Sequence, residues 1–438
     1  MKTRTGIFAL VVVAAVGYCG LLAATSLSDL RAGEHLTATR PVNPELIAQG
    51  EYLAKLGDCA ACHSVPGKPA FSGGLKMGIP IGAIYTTNIT PDKTFGIGNF
   101  SLEDFDRALR FGVSKGHTLY PAMPFPSYAN TRPEDVEALY AYFQHGVEAA
   151  AVPNRASDIR FPLSMRWPLT LWRWAFAPRP KPFVAAAGAD PNVARGQYFV
   201  EGMGHCGECH TPRNLAMQVK AQDASAGDAF LSGAVVEQWL APSLRNGGLD
   251  TLATWSVEDV EHFLKTGTNR SGIAFGSMSD VVIHSTQHLT PTDLHVTALF
   301  LKSLDGGKQQ PAHYVYADDT DQALRSGDDT KRGARLYLDN CATCHRPDGR
   351  GYEAVFPSLA GNPVVQAGNP ASLISIVMRG SETPRTAAAP AQFTMPGFAW
   401  RLSDEEAADV ISFVRSCWGN DGDPVAAIEI KNVRRSLP

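Results

Sequence analysis

Cys59-Ala60-Ala61-Cys62-His63, Cys206-Gly207-Glu208-Cys209-His210 and Cys341-Ala342-Thr343-Cys344-His345 are three copies of one string, C-x-x-C-H, in a chain of 438 residues. With 8 Cys and 12 His in the chain, one such string is expected by chance about 0.004 times. Three copies therefore carry information. One helical turn sets two thiols side by side and brings the next imidazole beneath them. That arrangement bonds the two vinyl groups of a porphyrin and ligates its iron, the attachment signature of c-type haem. Cys59, Cys62, Cys206, Cys209, Cys341 and Cys344 are the expected thioether residues, and His63, His210 and His345 the proximal ligands, of three haem c groups. A redox disulfide or half of a zinc site are the alternatives for C-x-x-C. Zinc would want a second such pair beside each motif, and the redox motif a βαβ setting; the sequence offers neither.

The residue on the far side of each iron decides the chemistry. A methionine thioether favours the reduced iron and fills its sixth position, which suits electron transfer; an open position suits catalysis. Met123, Met278 and Met395 are the candidates, the first and last followed by proline, which holds the preceding residue extended. Met77 competes with Met123 but precedes the long helix of its module. His284 and His288 compete with Met278. Met165, Met203, Met217 and Met378 read as packing residues. No paired carboxylates, nucleophile with base, or phosphate loop stands out, so no catalytic residue is assigned.

Around each motif the chain repeats one plan. Gly50-Glu51-Tyr52-Leu53, Gly196-Gln197-Tyr198-Phe199 and Gly333-Ala334-Arg335-Leu336 lead in as short helices. Ser101-Leu102-Glu103-Asp104 and Ser256-Val257-Glu258-Asp259 are N-cap signals for helices ending at Gly112 and Gly267. Asn369-Pro370 opens the third counterpart, which ends at Gly380. From that glycine to the candidate methionine is 11, 11 and 15 residues. Closing helices follow from Thr131 or Pro133 to His145, from Thr290 to Leu304, and after the cap Ser403-Asp404-Glu405-Glu406. Helix, motif, helix, methionine loop, helix is the order of a cytochrome c domain, and its recurrence at about 140 residues implies tandem copies.

The expected fold is thus all-α, three tandem cytochrome c domains behind an N-terminal transmembrane or signal segment. The boundaries are 1–26 for that segment, 43–158 for the first domain, 159–185 for an aromatic linker and 186–304 for the second domain. A linker over 305–326, the third domain over 327–420 and a tail over 421–438 follow. Gly6 to Ala24 is a run of 19 residues without a charge, behind Lys2 and Arg4. It is long enough to anchor, and the basic residues would keep the N-terminus cytoplasmic. A cleaved signal peptide, with Ala24-Thr25-Ser26 as its site, is the other reading. Cys19 fits a lipoprotein site poorly because Tyr18 precedes it. Cys417 reads as a small buried hydrophobe.

The formal net charge of −4 gives no reason to expect nucleic acid. Arg160-Phe161-Pro162-Leu163-Ser164-Met165-Arg166-Trp167-Pro168-Leu169-Thr170-Leu171-Trp172-Arg173-Trp174 is aromatic and cationic. It reads either as a linker packing over a haem edge or between domains, or as a surface for a partner subunit or the membrane headgroup layer.

The chain resembles the cytochrome c subunits of membrane-bound, quinone-reducing alcohol, aldehyde, gluconate, sorbitol and fructose dehydrogenases. The likeness is carried by Ile81-Gly82-Ala83-Ile84-Tyr85-Thr86-Thr87-Asn88-Ile89-Thr90-Pro91, Leu119-Tyr120-Pro121-Ala122-Met123-Pro124, Pro162-Leu163-Ser164-Met165-Arg166-Trp167-Pro168-Leu169, Gly204-His205-Cys206-Gly207-Glu208-Cys209-His210-Thr211-Pro212-Arg213, Gly361-Asn362-Pro363-Val364-Val365 and Met395-Pro396-Gly397-Phe398. The resemblance implies a triheme subunit in the cytoplasmic membrane, its haem domains on the periplasmic side. It would take electrons from a catalytic dehydrogenase subunit of molybdopterin, pyrroloquinoline quinone or flavin type, optionally with a small third subunit, and reduce ubiquinone. It also supports Met123, Met278 and Met395 as axial ligands. Alcohol dehydrogenase members carry a long C-terminal extension, whereas this sequence runs 18 residues past Asn420. An aldehyde enzyme therefore stands level with an alcohol enzyme, and the fructose and gluconate flavoenzymes stay open. A free-standing periplasmic carrier to a terminal oxidase and a haem enzyme with an open coordination site are the competing functions.

Overall fold

A computed structural model describes residues 12–20, 36, 40–79, 81–236, 238–248, 252–306, 314–352 and 355–437. It divides into two compact units, one of the residues up to Ala54 with Cys62–Val184, the other of Lys55–Ala61 with Ala185 onward.

The first unit holds α1 (Pro44–Leu56) as far as Ala54 and α2 (Cys59–His63) from Cys62, and the hairpin β1 (Lys76–Ile79) and β2 (Gly82–Tyr85) follows. Next come α3 (Leu102–Phe111), α4 (Pro133–His145) and α5 (Trp167–Phe176). Ser101 caps α3, its hydroxyl accepting from the Asp104 amide while the Asp104 carboxylate accepts from the Ser101 amide; left-handed Gly112 ends it. Leu102, Phe105 and Leu109, spaced three and four apart, are buried. A small hairpin of Val113–Ser114 with His117–Thr118 turns through Lys115-Gly116, both at positive φ (50° and 77°), as a two-residue turn between antiparallel strands demands.

In the second unit, α6 (Pro191–Tyr198) and α7 (Gly207–His210) precede the hairpin β3 (Ala234–Val236) and β4 (Trp239–Ala241). Then come α8 (Val257–Thr266), α9 (Ser277–His284) and α10 (Pro291–Ser303). The chain continues through α11 (Asp319–Arg325), α12 (Ala334–Asn340), α13 (Ala342–His345) and α14 (Ala371–Arg379). Strands β5 (Gly380–Glu382) and β6 (Thr394–Pro396), α15 (Asp404–Arg415) and α16 (Ala427–Arg434) complete it. Two apolar clusters fill this unit. Val200, Phe230, Leu231, Phe300 and Leu301 form one. The other gathers Tyr337, Ile374, Ile411, Phe413, Trp418 and Ile430.

The lead-in glycines explain themselves once the helices pack. A β-carbon on Gly50 would lie 2.0 Å from the Ala138 carbonyl oxygen, on Gly196 1.9 Å from that of Val296, and on Gly333 2.4 Å from that of Asp409. Each is the point where an opening helix crosses a closing one at backbone contact.

The fold is mostly helical, as expected, but not wholly so: among the described residues, five two-stranded antiparallel hairpins interrupt it. Three helices lie where the sequence suggested linkers or a tail. These are α5, α11 and α16, the last burying Ile430 and Val433 against the third motif's module. All three are short, at 10, 7 and 8 residues, so only neighbouring surfaces make the helices worthwhile. Cys417 is buried at 1% exposure, as its setting predicted. Among the described residues, no helix is long and apolar enough to cross a membrane. Most of the segment 1–26 lies outside them; residues 12–20 are helical.

Candidate haem centres

Each C-x-x-C-H string is a single helical turn: Cys59–His63, and Gly207–His210 and Ala342–His345 with the preceding cysteine as cap. Closing the turn, the His210 amide donates to the Cys206 carbonyl at 3.0 Å and the His345 amide to that of Cys341 at 2.9 Å. Both thiols of a motif thus share one side of a turn, the geometry thioether bonding to a flat macrocycle needs.

The three imidazoles are fixed in the same way. Nδ1 of His63 lies 2.7 Å from the Thr87 carbonyl oxygen, that of His210 2.7 Å from that of Pro242, and that of His345 3.0 Å from that of Pro357. A carbonyl can only accept, so Nδ1 carries the proton and the Nε2 lone pair is left to face a metal. The histidine carbonyls are tied down as well, accepting from the amides of Gly73 (2.7 Å), Gly233 (2.7 Å) and Gly351 (3.1 Å). Burial lowers all three imidazole pKa values, opposed by the bond to the carbonyl, so the neutral, ligating form prevails at pH 7. Burial also pushes the thiols of Cys206 and Cys341 up to about 12, each motif's second cysteine adding to the effect. The residues present therefore fit haem c.

The methionines sit on separate elements of their modules. Met123 lies in the loop that opens the turn Phe125–Tyr128, its amide donating to the Tyr120 carbonyl at 3.1 Å. Met395 is in β6, in register with Ser381 of β5. Met278 lies neither in a turn, like Met123, nor in a strand, like Met395. It is the second residue of α9, which Gly276 introduces at φ 55°; no proline follows it to hold the chain extended. All three are half-buried. The rival Met77 is paired with Ile84 in the β1–β2 hairpin, and His288 is exposed. Met203 and Met378 are packing residues at 0% and 1% exposure, whereas Met165 and Met217 lie on the surface at 39% and 55%.

What the sequence did not disclose is the carbonyl beneath each histidine. Thr87, Pro242 and Pro357 lie 24, 32 and 12 residues on, and no constant spacing marks them. The segments that follow the second and third motifs are also pinned together by groups no motif announced. Ser372 Oγ on α14 accepts from the Leu240 amide (2.7 Å) and donates to the Leu240 carbonyl (3.1 Å), and Ser375 Oγ donates to the Gln238 carbonyl (2.9 Å). The β3–β4 hairpin so held is the one that reaches on to Pro242 and His210.

These centres define a c-type cytochrome, and the cytochrome c family matches residues 330–418. The chain is 48% identical over 410 residues to the cytochrome c subunit of a quinone alcohol dehydrogenase from Gluconacetobacter polyoxogenes, covering 93% of this chain and 88% of that one. It is 50% identical over 399 residues to the gluconate 2-dehydrogenase cytochrome c subunit of Pantoea cypripedii, 90% of each being covered. With the fructose dehydrogenase cytochrome subunit of Gluconobacter japonicus the identity is 36% over 409 residues, 89% and 82% covered. The chain belongs to the family of cytochrome c subunits of alcohol, gluconate and fructose dehydrogenases. Its work is electron transfer within a dehydrogenase complex, and its cofactor is haem c.

Proposed function

We propose that this subunit carries three haem c groups in three tandem cytochrome c domains, 43–158, 186–304 and 327–420. They relay single electrons from the catalytic subunit of an alcohol- or aldehyde-oxidising dehydrogenase to ubiquinone. The observation that carries the proposal is the threefold recurrence of one local geometry: a one-turn cysteine helix, an imidazole whose Nδ1 is bonded to a carbonyl, and a helix crossing at glycine. Haem c supplies a one-electron iron couple. Cys59 with Cys62, Cys206 with Cys209 and Cys341 with Cys344 hold the macrocycles. His63, His210 and His345 would each hold an iron, and Met123, Met278 and Met395 would each supply a second ligand that keeps water and substrate from the metal. Oxidation of the organic substrate is left to the partner. A sugar-acid enzyme is a second reading, favoured by the 50% identity to the gluconate 2-dehydrogenase subunit.

The uncharged run Gly6–Ala24 behind Lys2 and Arg4 supports placement at the cytoplasmic membrane, with the haem domains on the periplasmic side. Purification of the complex in detergent tests the whole reading. The mature chain should carry three covalent porphyrins by mass, co-purify with a large dehydrogenase subunit and pass its electrons to a ubiquinone analogue. Fewer porphyrins, or a chain that isolates alone and leaves the quinone oxidised when a dehydrogenase is supplied, would refute it.

A further inference from the structure

Helix α5 (Trp167–Phe176) is assembled from Trp, Leu and Phe, yet none of its residues is buried. Its inner side rests on the first module. The Trp172 ring meets Phe125 edge-on at 6.4 Å, Thr170 Oγ1 lies 3.1 Å from Thr118 Oγ1, and the Arg166 guanidinium sits 4.4 Å from the centre of the Tyr120 ring. The helix therefore lies directly on the loop that carries Met123. Its other side faces outward. Trp167 and Trp174, two turns apart, are 43% and 58% exposed, and on the approach Phe161 and Leu163 are 80% and 57% exposed. Apolar rings in such numbers at a surface mark a contact site.

Two observations say what covers it. Arg160, Arg166, Arg173, Arg179 and Lys181 occur in the same stretch as the rings, and no Asp or Glu occurs from Ile159 to Ala189. The Trp167 ring also meets Tyr18 edge-on at 5.3 Å. Tyr18 belongs to the helical stretch 12–20, whose Val13 and Val16 are 71% and 67% exposed. Through that contact α5 adjoins the helical stretch 12–20, which belongs to the uncharged run Gly6–Ala24. Aromatic rings beside arginine and lysine, and no acidic groups, are what an anionic headgroup layer takes up.

We infer that Phe161–Lys181, through the outer face of α5, is a second membrane contact, seated in an anionic phospholipid headgroup layer beside the N-terminal segment. It sets the Met123 loop immediately beneath the lipid surface. The inference rests on the membrane placement proposed above. The test uses the full-length holoprotein in nanodiscs of phosphatidylethanolamine and phosphatidylglycerol doped with a diazirine-bearing phosphatidylglycerol, with adducts mapped by peptide mass. The expected result is labelling over 160–181 about tenfold above that at Trp400, which is more exposed than either Trp167 or Trp174. Replacing Trp167→Ser with Trp174→Ser should abolish it, haem content being unchanged. Labelling confined to residues 12–20, labelling over 160–181 no higher than at Trp400, or loss of the 160–181 adducts once the dehydrogenase subunit is bound would overturn the inference and leave the membrane placement intact. No adducts anywhere on the chain would remove both.

Discussion

Gly196 and Val296 touch backbone to backbone: a β-carbon on the glycine would sit 1.9 Å from the valine carbonyl oxygen. Phe300 Cβ stands 2.9 Å from the same point, so the crossing is closed on two sides. Gly196→Ala must force α6 and α10 apart. The cost is that of overpacking, about 1–3 kcal/mol or more. Thermal unfolding followed at the haem absorption should show it as a lower midpoint, with Gly50→Ala and Gly333→Ala acting on their own modules. An unchanged midpoint for Gly196→Ala would mean the crossing is looser than described.

The three thioethers should be separable by carbon monoxide. If Met123, Met278 and Met395 each close one iron, the reduced protein binds little of the gas. Met123→Leu, Met278→Leu and Met395→Leu should then each open one site, read as one equivalent of carbon monoxide and loss of one methionine–iron absorption component. A variant that binds no more gas than the parent would clear its methionine of the role.

Glu201 lies five residues before Cys206 and is buried. Its carboxylate accepts from the Ala224 amide at 2.9 Å and from the Gln197 side-chain amide at 3.0 and 3.1 Å. Burial, opposed by those bonds, still pushes its pKa from 4.5 up to about 7. The folded state therefore holds the proton more tightly than the unfolded chain. Stability from this group is full below pH 4.5 and is lost as pH rises towards 7, with a total of about 3 kcal/mol. Glu201→Gln removes that dependence. Relative to the parent, its denaturation midpoint should rise between pH 5 and 8, with Gln197 turning its amide oxygen towards the new donor. Parallel pH curves for the two proteins would contradict the assignment.

Ser372 is almost wholly buried and satisfies both polar groups of Leu240. Ser372→Ala leaves that amide and carbonyl unpaired at the junction of β4 and α14, a cost of about 1–3 kcal/mol. Hydrogen exchange should report it first at Leu240, the second module's amide that reaches across. Exchange that rises uniformly through the third module would point to a general loss of core packing.

The sequence by itself disclosed the chemistry that depends on neighbours in the chain. Two thiols and an imidazole must lie within one helical turn, so their spacing is written as C-x-x-C-H. The capping boxes at Ser101 and Ser256 and the stops at Gly112 and Gly267 are equally local, and the structure has them where the sequence put them. Gly50, Gly196 and Gly333 were visible as repeated letters, but their reason was not. Only the packed helices show that a side chain there would strike a carbonyl from a distant segment. The acceptors Thr87, Pro242 and Pro357 were hidden for the same cause: a backbone oxygen is common to every residue, and only tertiary folding selects which one meets a histidine. The placement of Met278 in a helix, of α16 in a core, and of α5 on the Met123 loop depended likewise on surfaces brought together from far along the chain.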